Sequence, residues 1–355
     1  GLRLNKKKIK VNSKIIMCHT AHADGVCLFK GRRFLMKYRV LIALVTLVGF
    51  VVLLPASSNG QGNSSSPKTA WGDPNLQGLW TNTTTTPLER PKDIADKEVL
   101  TGEEWAARNA VSGLSDDRPF DEVGFYNDYW LEQGELSERT SLIIDPPSGT
   151  LPALTANEEA RVKEQRQFRV DNPPGNPGVW TDLNAYDRCI TRGMPGVMMP
   201  GFYNHNYHIL QTPDYVAIRV EMIHDTRIIP LDGRPHVKQP IQQWLGDSRG
   251  HWEGNTLVVE TTNVTANLQD RGATVFAIGG NLHLVERFTR VDENTIDYRF
   301  TVHDPSSFAE PFTVSLPMSA LGGDLFEYAC HEGNYAIANM LRGARAEDAA
   351  VAGSR

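Results

Sequence analysis

Alternation of apolar and polar residues in the second half of the chain predicts β-strands. Between Asp214 and Met222 apolar residues occupy every second position, and the same alternation returns from Ile296 to Val302. A period of two is that of a strand with one buried face. Further strands are predicted at 78–82, 225–230, 256–260, 282–290, 311–318 and 325–330.

Short turns separate several of these strands. Gly254-Asn255 and Asp292-Glu-Asn294 each lie between two apolar runs and are typical of hairpin turns. Successive antiparallel strands with short turns favour a meander that closes into a barrel or packs as a sandwich, and the period does not choose between them. The predicted fold class is therefore mainly β, with a few short helices.

Two capping-box patterns predict helices in the first half of the chain. In Thr101-Gly-Glu-Glu104 and Thr155-Ala-Asn-Glu158, the Thr and Glu side chains can satisfy free N–H groups at a helix start. Prolines and glycines interrupt the stretch from Asp171 to Gly201 too often for a regular element to persist. The predicted helices span 102–112, 156–169 and 334–347.

An export signal is predicted near the start of the chain. Met36-Lys-Tyr-Arg precedes an apolar run of 15 residues, from Val40 to Leu54, and small residues follow. This order is typical of a secretory signal peptide, and the run is short for a membrane span. We therefore expect a periplasmic or secreted protein without stable membrane insertion after signal cleavage. The expected segments are 1–35 upstream of the true start, 36–56 signal peptide, 57–70 flexible leader, 71–347 a single β-rich domain with an irregular 81–201 segment, and a tail at 348–355.

Setting the signal aside changes the net charge and the cysteine count. The whole chain has 36 basic and 42 acidic residues, whereas the part after residue 56 has 25 and 41, a net charge of −16. Nucleic acids select basic patches, so none is expected as a partner. The same part retains only Cys189 and Cys330. In an oxidising compartment these predict one disulfide, and two buried thiols are the alternative.

Several segments resemble a family of exported proteins of unknown function that is common in soil bacteria. This resemblance implies no activity. The first strand, with Gly78-Leu-Trp80, also resembles that of lipocalin-like (calycin) barrels, where a Gly-x-Trp places an indole across one end of the barrel. The segments that resemble the soil-bacterial family are Gly72–Trp80, Arg188–Gly193, Glu221–Asp225, Gly246–Gly254 and Tyr328–Asn334.

A charged cluster in the β-rich half is the main candidate for catalysis. Every histidine after residue 56 lies in that half, and Glu221, His224, Asp225 and Arg227 surround a predicted turn, with His251 further along. A carboxylate beside an imidazole favours acid–base chemistry, and an arginine can hold an anion. A salt-bridged surface turn is the alternative.

Two further motifs are weaker indications of chemistry. His205 and His208 could share a metal only in a loop, because positions i and i+3 of a strand face opposite sides, and no metal site is predicted. Gly246-Asp-Ser248-Arg-Gly250 matches a nucleophile elbow, but the β run that follows favours a turn held by Asp247 and Arg249.

Aromatic and histidine side chains are candidates for lining an apolar pocket, and the alternative for each is an ordinary core position. Tyr126, Tyr129 and Trp130 could contribute to such a pocket. The candidate ligand-binding residues are Tyr203, His205, Tyr207, His208, Trp244 and Trp252.

The leading hypothesis is an exported β-barrel-like protein that binds a small, partly apolar molecule in a cavity, with the charged cluster at its mouth. One alternative is a hydrolase, lyase or isomerase in which His224 with Asp225 is the base and Arg227 the anion holder. The other is an envelope interaction protein. The sequence contains no Gly-rich phosphate loop, Cys-x-x-Cys pair or haem motif, and the cofactor is unknown.

Overall fold

The computed structural model describes residues 67–112, 132, 134, 136–171, 177–201, 203–266 and 280–353. The predicted signal peptide at 36–56 and the aromatic residues Tyr126, Tyr129 and Trp130 lie outside this part of the chain. The strands are β1 (Gly78–Thr81), β2 (Ile143–Asp145), β3 (Asn206–Gln211), β4 (Tyr215–Val220), β5 (Thr226–Pro230), β6 (Asp247–Glu253), β7 (Thr256–Thr262), β8 (His283–Arg290), β9 (Thr295–His303), β10 (Phe312–Ser315) and β11 (Met318–Ala320). The α-helices are α1 (Gly102–Ser112), α2 (Ala156–Asp171) and α3 (Ala336–Gly353).

The strands form one antiparallel sheet that nearly closes into a barrel. Their order is β5-β4-β3-β1-β11-β9-β8-β7-β6, and β10 pairs with β9 and with β2. The runs β3-β4-β5 and β6-β7-β8-β9 are meanders, and β1 lies between β3 and β11. The two ends of this order meet, since Arg227 on β5 donates to Ser248 on β6 at 3.4 Å. The predicted mainly β class is confirmed.

Aromatic side chains fill the inside of the barrel. Trp80 lies opposite Tyr207 across β1 and β3, and Phe288 lies opposite Tyr298 across β8 and β9. These four side chains and Phe300 are fully buried. Each fully buried large apolar side chain contributes roughly 1.5–3 kcal/mol to folding. The barrel interior is therefore a packed core.

An ion pair crosses this core. The Arg227 guanidinium donates to both oxygens of Glu286, with Nη1 at 2.9 Å from Oε1, and the Tyr298 hydroxyl donates to the same carboxylate at 2.9 Å. Ser248, on the strand beside Arg227, shares a hydrogen bond of 2.8 Å with Thr261. These hydrogen bonds pair most of the polar groups at the centre of the barrel, as buried polar groups require, although Arg227 Nε has no partner among the described residues.

Both predicted helix starts are confirmed, the first with a complete capping box and the second with its threonine half, because the Thr155 N–H donates to the Ser307 carbonyl at 3.0 Å. The Thr101 hydroxyl accepts the Glu104 N–H at 3.3 Å, and the Glu104 carboxylate accepts the Thr101 N–H at 3.0 Å. At the start of α2, the Thr155 hydroxyl accepts the Glu158 N–H at 3.3 Å. The third predicted helix is confirmed with shifted ends, as α3. Among the described helices, none is both long and apolar enough to cross a membrane.

Two strand predictions near the C-terminus need correction. The strand expected at 311–318 is two strands, β10 and β11, separated by Leu316 and Pro317. The strand expected at 325–330 was wrong. Side chains satisfy its backbone instead: the Glu221 carboxylate accepts the Phe326 N–H, and His224 donates to the Tyr328 carbonyl.

The predicted disulfide is confirmed. Cys189 and Cys330 are bonded, with their Cα atoms 5.7 Å apart. Cys189 precedes β3, and Cys330 follows β11 by ten positions. The bond therefore holds the segment before α3 against the connection that leads into the barrel.

Candidate functional site

A cleft of about 600 Å³ lies on the outer side of the barrel wall. Thr81, Asn206 and Ser319 line it, and they are paired neighbours across β3, β1 and β11. Side chains alternate along a strand, so these residues face away from the interior that holds Trp80 and Tyr207. The volume is within the range of small-molecule sites. The cleft therefore lies outside the barrel, whose described interior is filled by aromatic rings.

The cleft has an apolar wall and a polar end. The segments after β1, before β2 and between β10 and β11 form the side opposite the barrel. Polar groups come from Asn82, Glu132, Arg139 and Asn206 and from several serines. The apolar lining is provided by Leu136, Leu142, Leu316, Pro317 and Leu321.

Two carboxylates share one amide nitrogen at the polar end. Asn206 Nδ2 donates to Glu132 Oε1 at 2.7 Å and to Glu221 Oε2 at 2.9 Å. Glu132 also accepts the His205 N–H and the Thr83 hydroxyl, each at 3.4 Å. Burial raises the pKa of Glu132, and the charge of Glu221 raises it further. The hydrogen bonds from Asn206 and His205 lower this pKa, but they do not cancel the increase. A carboxyl with a raised pKa in a cleft is a functional-site candidate.

Two buried polar atoms of the cleft lining have no hydrogen-bond partner within the described part of the chain. They are Asn206 Oδ1 and Arg139 Nε. The Asn206 side chain belongs to a residue that is only 5 % exposed. Leaving a buried acceptor or donor unpaired costs about 1–3 kcal/mol, and a bound molecule or water removes that cost. Two buried atoms of this kind make the cleft a candidate ligand site.

A glycine allows the wall of the cleft to approach the end of β1 closely. A Cβ atom on Gly134 would lie 2.3 Å from the backbone N of Thr84. Real Cβ atoms do not approach this closely, so any other residue here would push the wall outward. Gly134 and Thr84 both line the cleft.

His205 lies beside the polar end as a neutral, buried imidazole. Its Nδ1 faces the Tyr203 carbonyl, and Arg192 donates to its Nε2. Burial lowers the pKa of His205 to about 3, and the charge of Arg192 adds to the effect. Nε2 is then an acceptor and Nδ1 a donor. His205 therefore positions the chain at the start of β3 and adds no positive charge.

The five predicted catalytic residues point to different surroundings. Glu221 reaches the polar end of the cleft, whereas Arg227 faces the core, bonded to Glu286. Asp225 accepts from Thr191 at 2.7 Å. The exposed side chains of His224 and His251 bond the Tyr328 carbonyl and the Glu253 carboxylate, respectively. These contacts do not assemble the expected cluster, and the catalytic roles stay predictions.

Arg227 differs most from its expected position. As an anion holder it was expected at the mouth of a cavity. The alternation along β5 places it on the inner face, where its charge is already paired. Ser248 of the apparent nucleophile elbow lies on β6 and also faces the core. The elbow motif requires a strand-to-helix turn, and this segment is instead a strand on which Arg249 donates to Asp247 at 2.6 Å.

The predicted ligand-binding residues divide between the core, the surface and the neighbourhood of the cleft. His205 and Tyr207 contact cleft-lining residues, since the Tyr207 hydroxyl donates to Asn82 at 3.3 Å. Tyr203 and Trp252 are partly buried against the core. His208 is partly buried on β3 and Trp244 is exposed. Within the described ranges, no three His, Cys, Asp or Glu side chains form a metal-binding group.

The sequence pattern did not identify Glu132 and Asn206, which form the polar end of the cleft. Glu132 lies in the irregular 81–201 segment, where no period or spacing distinguishes it from its acidic neighbours. Asn206 offered one signal, a polar residue next to the inward-facing Tyr207 on a predicted strand. That signal identifies a position on the outer face but not its neighbours.

Comparisons with protein-family models, with curated proteins and with solved structures found no match. The resemblance to exported soil-bacterial proteins and to lipocalin-like barrels therefore stays a prediction. The candidate site depends on the geometry of this chain. Its main elements are the outer cleft, the hydrogen bonds that join Glu132, Asn206 and Glu221, and the Asn206 oxygen that no described residue pairs.

Proposed function

We propose that this chain binds a small, partly apolar molecule in the cleft beside β1, β3 and β11. The observation that carries the proposal is the combination of an apolar wall with buried polar atoms that lack partners among the described residues. Ligand sites are concave, mostly apolar and equipped with a few placed polar groups. The near-closed barrel supplies a rigid wall for such a site.

Export is part of this proposal. The predicted signal peptide and the disulfide between Cys189 and Cys330 support it, since disulfides persist in oxidising compartments. We propose a periplasmic or secreted location, where the protein would meet its ligand outside the cytoplasm.

The two alternative functions have less support. Catalysis by His224, Asp225 and Arg227 requires side chains that instead bond to separate partners. An interaction protein requires a broad exposed apolar patch. On the outer wall, the exposed apolar residues Leu210 and Ile228 flank Ala217 in one short row across β3, β4 and β5.

Blocking the cleft tests the proposal. Ser319 lies on the outer face of β11 and lines the cleft, so Ser319→Trp would fill part of it. With 4-phenylbutanol as a neutral probe, we expect binding to the wild type and at least about tenfold weaker binding to the variant. Isothermal titration calorimetry or ligand-observed NMR would measure the dissociation constants.

The control carries the same tryptophan elsewhere on the outer wall. Thr226 is exposed on β5 and does not line the cleft. Thr226→Trp should therefore bind the probe as the wild type does, within about twofold. Equal affinity of the Ser319→Trp variant and the wild type would place the binding site elsewhere.

A further inference from the structure

We propose that the polar end of the cleft selects a protonated amine, held by the Glu132 carboxylate and by Asn206 Oδ1, which has no partner among the described residues. This inference rests on the proposed function and specifies its ligand class. The ligand would be an alkylammonium group carried on an apolar body.

The polar end has two carboxylates without a paired cation in the described structure. Glu132 and Glu221 are bridged by the neutral amide of Asn206, and within the described part of the chain neither forms a salt bridge. The nearby Arg192 is bonded to His205 and its guanidinium lies 5.5 Å from the ring centre of Tyr186. Two carboxylates close together favour binding a positive charge and oppose a third negative charge.

The Asn206 side chain can accept one more hydrogen bond, so a ligand at this position should be a donor. Both hydrogens of its Nδ2 are used by the two glutamates, so its buried Oδ1 remains as an acceptor without a partner in the described part of the chain. An ammonium group has three donors and no acceptor. It can donate to Asn206 Oδ1 and to Glu132 at once, whereas a hydroxyl has one hydrogen and a carboxylate has none to offer.

The arginine in the cleft does not reverse this preference. Arg139 lines the cleft, but its Nη2 donates to the Glu98 carboxylate at 2.9 Å, so its charge is paired. Its buried Nε, which has no partner among the described residues, can donate one hydrogen bond to an acceptor on the ligand body. The charge that decides selectivity is then that of the two glutamates.

The ionisation of Glu132 fits a cationic ligand. Burial and the neighbouring Glu221 raise the pKa of Glu132, and an ammonium ion beside it would lower that pKa again. By linkage, binding of the amine favours the ionised form of Glu132 over the protonated form. Affinity for the amine should therefore increase as the pH rises through the pKa of Glu132.

Three probes with one apolar body separate charge from shape. They are 4-phenylbutylamine, 4-phenylbutanol and 4-phenylbutanoate, each titrated at neutral pH against the full chain. We expect the amine to bind at least about tenfold more tightly than the carboxylate, with the alcohol between them. The Glu132→Gln variant keeps the shape of the side chain and removes its charge. Its affinity for the amine should be about tenfold lower than that of the wild type, while its affinity for the alcohol should stay within twofold.

The matched control is Glu310→Gln, which removes an exposed carboxylate that does not line the cleft. It should leave all three dissociation constants unchanged. Equal or tighter binding of 4-phenylbutanoate, or an unchanged amine affinity in Glu132→Gln, overturns the amine selectivity. If the alcohol still binds and Ser319→Trp still weakens it, the proposed function stands. If none of the three probes binds, both proposals fail.

Discussion

At position 205, burial and a neighbouring charge both lower the pKa of one imidazole. His205 is enclosed at the start of β3, and Arg192 donates to its Nε2. The pKa of His205 is about 3 in the folded protein, against an ordinary value of 6.5. The unfolded chain therefore binds more protons than the folded chain between these two values, and stability falls as the pH is lowered through this window.

The His205→Gln variant should remove this acid sensitivity. Above pH 6.5 the neutral imidazole contributes its full stability, and that contribution is lost as the pH falls toward 3. Across this pH window, the free energy of unfolding of the wild type should fall by about 5 kcal/mol more than that of the variant. Urea unfolding at a series of pH values measures the difference. His303→Gln, at an exposed position, is the control. Parallel pH profiles for the wild type and His205→Gln would contradict the prediction.

Among the elements, β5 illustrates how an alternating strand can bury a charge. Arg227 and Ile229 face the core, whereas Ile228 between them is exposed. The guanidinium crosses the barrel from β5, at one end of the sheet order, to Glu286 on β8, so one ion pair links two strands that are not neighbours in that order. Removing one partner of a buried pair leaves an uncompensated charge, which costs more than removing both.

A double-mutant cycle tests this pair. Glu286→Gln alone should lower the free energy of unfolding by about 3–5 kcal/mol, because it strands the buried charge of Arg227. Adding Arg227→Met should recover part of that loss, and the coupling energy should be about 1–3 kcal/mol. Denaturant unfolding of the wild type, both single variants and the double variant gives the cycle. Additive losses would mean that the pair does not act as a unit.

Local patterns predicted most elements of the sheet. Val216, Ile218 and Val220 alternate within one strand, and this alternation needs no knowledge of the rest of the chain. The failure at 325–330 has a physical reason, because Glu221 and His224 bond this segment from a distant part of the sequence. Side-chain bonds to a backbone leave no periodic trace.

The candidate site could not be predicted in the same way. Thr81, Glu132, Leu142, Asn206 and Ser319 line one cleft although they are separated by up to 238 positions. They meet because β1 inserts between β3 and β11, a pairing that the strand pattern does not encode. The sequence pattern favoured the cluster near His224, because its members are close in sequence rather than in space.

At the scale of the whole molecule, the segment before α3, which contains Phe326 and Cys330, contacts the candidate site through Glu221. Glu221 holds the Phe326 N–H with one oxygen, at 2.6 Å, and the Asn206 amide with the other, at 2.9 Å. The bond between Cys189 and Cys330 lies in the same segment. The Glu221 carboxylate therefore connects the cleft to the segment that the disulfide anchors.

Removing the disulfide should destabilise the protein substantially. The bond joins residues 141 positions apart, and for a loop of this length the chain-entropy model gives on the order of 5 kcal/mol. Replacing Cys189 and Cys330 together by serine should lower the free energy of unfolding by about 2–5 kcal/mol, measured by urea denaturation.

Reduction of the wild type supplies the matched comparison, because it opens the same bond without changing the sequence. The reduced wild type and the double serine variant should unfold at similar urea concentrations, both well below the oxidised protein. Peptide mapping without reductant should recover the peptides of Cys189 and Cys330 as one linked species. Separate peptides with free thiols, or equal stability before and after reduction, would mean that hydrogen bonds such as that of Glu221 anchor the segment alone.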